Sequence, residues 1–171
     1  MRLLAFLGRT VDKLNLATGK LVAFLMVPML LVMILEVIMR YGFKSPTLWG
    51  TEMATFIFAG YVLLGAGYTH LQDGHVNMNA LYQRLARKNK AIFDLITSTA
   101  FFLYCGVLLY ESCRFTWDAM ISGRHTGTDW NPPLAPVLIT MPIGVFLMLL
   151  QGIVKFVRDL NTVVSGKGSS T

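Results

Sequence analysis

Four long apolar runs, parted by short polar stretches, set the pattern of this chain. They cover about residues 21–39, 49–68, 91–110 and 134–154, each close to the roughly 20 residues a helix needs to cross a bilayer. The pattern predicts an all-α integral membrane protein of four transmembrane helices plus short amphipathic interfacial helices. Ahead of the first run, Leu3, Leu4, Leu7, Val11 and Leu14 alternate with Arg2, Arg9, Asp12 and Lys13. That spacing fits an amphipathic segment over 1–20, lying in the interface with its basic side among headgroups. The alternative is a frayed, basic N-terminus.

The first run contains Pro28, which removes a backbone donor and predicts a kink. The second run carries Ala59, Gly60, Gly65, Ala66 and Gly67, so one side is stripped of bulk and invites close approach by another helix. A polar connection follows from His70 to Lys90. Within it Val76, Met78, Leu81, Tyr82 and Leu85 recur at helical intervals, predicting a short surface helix. The third run is expected to continue as helix to about Met120, with Asp94 paired to Lys90 one turn away. Gly123, Gly127, Pro132 and Pro133 make 122–136 a loop leading into the last span. The expected organisation is an interfacial segment (1–20), a four-helix membrane domain (21–160) and a flexible cytoplasmic tail (161–171).

Basic residues orient this layout. Arg2, Arg9, Lys13 and Lys20, then Arg84, Arg87, Lys88 and Lys90, then Lys155, Arg158 and Lys167 fall on one side. Only Arg40, Lys44, Arg114 and Arg124 fall on the other. The excess marks the first side, with both termini, as cytoplasmic. Trp49, Trp117 and Trp130 then lie at the outer interface, where indoles are enriched.

Composition supports the membrane reading. The 171 residues are 54% hydrophobic and 14% charged, against about 25% charged in soluble domains. The net charge of +6 comes from residues at the ends of apolar runs rather than from one patch, which argues against nucleic acid. The first apolar run leads into Glu36 and Arg40 rather than a small-residue cleavage site, so it reads as retained. Cys105 and Cys113 sit about 12 Å apart along one helix, beyond disulfide reach.

Catalytic constellations are missing. There is no nucleophile elbow, no phosphate loop, and no zinc spacing among His70, His75 and His125. Those histidines belong to opposite membrane sides, which excludes a bis-histidine haem. The chain reads as a non-enzyme without a cofactor of its own. Chemistry concentrates instead at the outer edge, in Glu36, Arg40, Trp49 and Glu52. Glu36 and Arg40 are one turn apart, and a hairpin through Gly42 and Pro46 would return Glu52 towards Arg40. Charges at that depth are costly unless paired. A proton-coupled carrier using Glu36 is the alternative, although the adjacent arginine favours permanent pairing. A membrane anchor for a redox enzyme is a third option.

The hairpin carries a likeness. Glu36, Arg40, Tyr41 and Gly42, then Pro46, Trp49 and Glu52, then Leu64 to Tyr68 leading to Gly74, His75, Val76, Asn77 and Met78, resemble the small membrane subunit of tripartite ATP-independent periplasmic (TRAP) transporters, the DctQ-like family. Thr51 stands where a second acid often precedes Glu52. The resemblance implies a bacterial inner-membrane scaffold surrounded by membrane lipid, bound to a large DctM-like subunit that holds substrate and sodium. It also implies a DctP-like periplasmic binding protein delivering an organic acid. The expected structural or partner contacts are a Glu36–Arg40–Glu52 cluster anchored by Trp49, a face of Gly60, Gly65 and Gly67 against the large subunit, and His75. His125, Asp129 and Trp130 form a possible docking loop for the binding protein.

Overall fold

The computed structural model describes residues 2–72 and 87–165, with side chains over 8–72 and 97–161. Among these residues every regular element is helical: α1 (Arg2–Ala23), α2 (Met26–Val37) running into a π-helical turn (Ile38–Gly42), α3 (Gly50–Leu71), α4 (Arg87–Ile121), the short α5 (Ala135–Leu138) and α6 (Thr140–Ser165). Three described stretches are long and apolar enough to cross a membrane: Gly8–Gly42, Gly50–Leu71 and Ala135–Asn161. At 35 residues, α4 is about 52 Å long, well beyond a hydrocarbon core of about 30 Å. The surface helix expected around His75 and the end of the tail lie outside the described residues, and the Lys90–Asp94 pair lies outside the described side chains.

Pro28 explains where the first rod breaks. Its ring crowds the carbonyl four residues earlier and it has no N–H to donate. That carbonyl belongs to Phe24, and it accepts from Val27 N at 3.2 Å instead. The interruption between α1 and α2 therefore falls at Phe24 and Leu25, one turn ahead of the proline. The rod reforms immediately, because Met29 to Leu35 are apolar residues with no further proline or glycine to interrupt it.

The bundle is centred on α3 and α6, which pack on each other; α1 and α2 also pack on α3, α1 touches α6 as well, and α4 packs along α6. Two glycines on α6 set these distances. A Cβ at Gly144 would lie 2.6 Å from the carbonyl carbon of Leu63, and one at Gly152 would lie 3.0 Å from Cζ of the Phe101 ring and closer still to its Cε1. The α3–α6 crossing thus brings backbone against backbone, the kind of close approach that favours dispersion in lipid. The core between helices is built from Val22, Ala54, Cys105, Ala119, Leu138, Val145, Leu147 and Met148. Outward-facing Leu31, Ile34, Leu103 and Val107 are more than half exposed, which suits a surface whose neighbours are acyl chains.

Candidate functional site

The hairpin corner between α2 and α3 is built on Glu36, which is 4% exposed. Arg40, one turn later, donates to Glu36 Oε1 from Nη2 at 2.6 Å and from Nε at 3.1 Å. The other carboxylate oxygen accepts from Thr47 N at 3.2 Å and from the Thr47 hydroxyl. Thr47 Oγ1 in turn accepts from Gly50 N at 3.1 Å, at the first turn of α3. A Cβ on Gly50 would come within 2.7 Å of Glu36 Oε2, so the carboxylate reaches the start of α3 only because that position is glycine. The π turn releases the chain here, with Phe43 N bonded back to Ile38 O at 3.3 Å. One buried acid thereby joins the end of one span to the start of the next.

Glu52 is not part of that cluster, which corrects the expected triad. Its carboxylate receives the Thr128 hydroxyl, with separations of 2.8 and 3.0 Å to the two oxygens. One turn along the same face of α3, Phe56 meets the Trp130 ring at 6.5 Å. Thr47 occupies the side of Glu36 facing α3, and Glu52 points away towards the loop after α4. Trp49 immediately precedes α3, makes no capping bond and is 38% exposed.

The loop from Ser122 to Leu134 has internal order. Thr126 N bonds Pro132 O at 3.2 Å and Leu134 N bonds Arg124 O at 3.0 Å, while His125 and Pro133 form an isolated bridge. Gly127, at φ 74°, donates to Asn131 Oδ1 at 3.0 Å. Arg124 pairs with Asp118 at 2.6 Å and stacks over Phe115, fastening the loop to α4. His125 and Asp129 are exposed on this hairpin, whereas Trp130 is drawn inward onto Phe56.

The small-residue side of α3 meets helices of its own chain. Leu25 lies against Gly60 and Val22 against Gly65. Gly67 is covered by Asn15 and by the backbone of Leu147: an added Cβ would lie 3.1 Å from Asn15 Cγ, closer still to its Oδ1, and 3.2 Å from the carbonyl carbon of Leu147. The small residues do admit a close neighbour, but α1, α2 and α6 fill that role.

A polar cluster at the other end of the bundle escaped the sequence reading. Asn15 is fully buried and Gln151 is 2% exposed. Asn15 Nδ2 donates to Gln151 Oε1 at 2.9 Å and to Val11 O at 3.2 Å. Gln151 Nε2 donates to Asp12 Oδ1 at 2.9 Å, and Arg158 pairs with Asp12 Oδ2. The expected interfacial helix therefore turns a polar face onto α6. The available signal was positional: Asp12 and Asn15 share a face of α1, and Gln151 and Arg158 share a face of α6 two turns apart.

Comparison with known proteins identifies the pattern. Residues 29–162 match the family model described as tripartite ATP-independent periplasmic transporters, DctQ component. The chain is 30% identical over 104 residues to the C4-dicarboxylate TRAP transporter small permease protein DctQ of Vibrio cholerae, covering 61% of this chain but only 44% of that relative. It is 26% identical over 138 residues to a protein named as a TRAP transporter small permease in Haemophilus influenzae, covering 74% of this chain and 86% of that one.

Proposed function

Because the chain belongs to the DctQ component family of tripartite ATP-independent periplasmic transporters, an inner-membrane transport component and not an enzyme, we propose that it braces a larger DctM-like transport subunit. In this reading a DctP-like periplasmic protein delivers an organic acid, and sodium coupling resides in the large subunit. Four spans cross the bilayer, α4 supplying the third, and both termini face the cytoplasm. The 21–160 region forms the membrane domain and 161–171 its cytoplasmic tail. No cofactor is assigned to this chain.

One observation carries the scaffold role. The most buried acid among the described residues, Glu36, has both oxygens engaged by Arg40 and Thr47, and the buried amides of Asn15 and Gln151 bond to each other. A carrier needs polar groups that exchange partners with a solute, whereas the Glu36 carboxylate is fully engaged in joining two helices, and among the described residues Asn15 Oδ1 is the buried side-chain atom left without a hydrogen-bond partner. A moving substrate element also needs a stationary surface to move against, and a bundle with close backbone contacts suits that role.

Reconstitution tests the proposal. Vesicles containing this chain alone should accumulate no organic acid under a sodium gradient. Vesicles containing it with its large partner and binding protein should. Accumulation by the lone chain, abolished in Glu36→Gln, would establish the autonomous carrier instead.

A further inference from the structure

Among the described residues, the far side of α4 has no partner. The helix packs on α6 and on the short α5, and its buried residues are Cys105, Ser112, Thr116 and Ala119. At 100° per residue these four share an arc of about 60°. Across the helix from them, Leu103, Val107, Tyr110, Arg114, Trp117 and Ile121 follow one another in alternate steps of four and three residues. Each of the six is more than half exposed. That is the seven-residue repeat by which one helix seats a second along its length.

Charge and depth say what lies against this seam. The Thr116 hydroxyl donates to Leu138 O at 2.9 Å and Phe101 lies against Gly152, so α4 runs antiparallel to α6 in a fixed register. Glu111, paired with Arg114 at 3.5 Å, is then level with about Ile143, roughly 12 Å inside the apolar stretch Ala135–Asn161. Gly144 meets Leu63, which puts the same level near the middle of Gly50–Leu71. Both members of the ion pair are more than half exposed at that depth. Acyl chains suit Leu103 and Val107, but they solvate an ion pair poorly. A protein surface suits the whole line, and Tyr110, Arg114 and Trp117 are of the residue types that most often anchor interfaces. A second copy of this chain is a poor match: inserted in the same orientation, it would set Arg114 against Arg114 across the seam. We propose that this face of α4 receives a membrane helix of the larger DctM-like subunit, one that offers a carboxylate or amide oxygen to Arg114. The partner's identity rests on the proposed assembly, whereas the position of the contact rests on α4 alone.

Photocrosslinking in the assembled complex tests the contact. The chain is co-expressed with the large subunit in bacterial membranes, with benzoylphenylalanine placed singly at Tyr110, Trp117 or Ile121, or at the comparably exposed Leu31 of α2. Irradiation should join the large subunit to each α4 position in greater yield than to Leu31. Tyr110→Ala combined with Trp117→Ala should lower recovery of the large subunit about tenfold. The unfolding midpoint of the lone chain should not move, because both side chains are exposed. Adducts from Leu31 in equal or greater yield would overturn the proposal by moving the contact to α2. An adduct of twice this chain's mass and no other would assign a second copy and also overturn it. No adduct from any position, in a complex that still co-purifies, would leave acyl chains beside α4 and overturn the contact while the assembly stands. Failure of the two subunits to co-purify at all would overturn the assembly, and the proposal with it. The crosslinks decide the matter whether or not the double variant folds.

Discussion

Replacing Gly144 with alanine tests how the bundle is held. The added Cβ would sit 2.6 Å from the carbonyl carbon of Leu63, and closer still to its oxygen. Both obstacles are backbone, so no rotamer change relieves them. α3 and α6 must separate by on the order of 1 Å, and a gap of 0.5–1 Å forfeits roughly a quarter to a half of each dispersion contact it opens. Overpacking of this kind costs about 1–3 kcal/mol, against about 1 kcal/mol of helix propensity gained from glycine to alanine. The net expectation is a loss of about 0–2 kcal/mol, against no loss or a gain where the site is open. Gly106 provides the matched control, because a Cβ there meets nothing within 4 Å, and Gly106→Ala should leave stability unchanged or raise it. Gly152→Ala should fall between them, since its obstacle is the Phe101 ring rather than backbone. Unfolding of the detergent-purified variants, followed by circular dichroism against denaturant, reads the order directly. If Gly144→Ala unfolds with Gly106→Ala, the backbone crossing is not what fixes the helix spacing.

Other expectations follow from the two polar ends. Gln151→Ala leaves the fully buried Asn15 short of a partner and should cost about 1–3 kcal/mol, while Asp12 keeps its pair with Arg158. In a cycle with Asn15→Ala the two losses should sum to more than the double variant shows. Arg40→Ala and Glu52→Ala should be additive, because they belong to different contacts, whereas Glu52→Gln and Thr128→Val should be coupled. Protease nicking of the Ser122–Leu134 loop reads the second pair, and coupling between Arg40 and Glu52 instead would restore the triad. If the exposed tip of that loop docks the binding protein, alanine at His125 and Asp129 together should lower uptake by the full assembly while leaving the stability of this chain intact. Unchanged uptake would dismiss the docking role.

Local relations were readable from the chain, and long-range ones were not. Glu36 and Arg40 are four residues apart in a helix, and geometry alone brings them together. The apolar runs and the proline-rich loop were likewise legible, because each is a property of a short window. Glu52 and Thr128 are separated by 76 residues and Asn15 and Gln151 by 136, and no periodicity announces which distant face a polar side chain will meet. The glycines of α3 show the limit well. Their small size signals a close neighbour, but a partner subunit and a helix of the same chain leave the same imprint on composition. Pro28 was recognised as a disruption, yet the break appears at Phe24 because the affected carbonyl lies one turn earlier.

The clasps at the two rims have a mechanical consequence. Advancing one helix past its neighbour by a single residue moves it 1.5 Å and turns it by 100°. A slip of α3 would part Glu52 from Thr128 and jam side chains into the Gly144 crossing, while a slip of α6 past α1 would part Asn15 from Gln151. Small shears therefore have no cheap intermediate, and a force applied to one flank is passed across the bundle rather than absorbed within it.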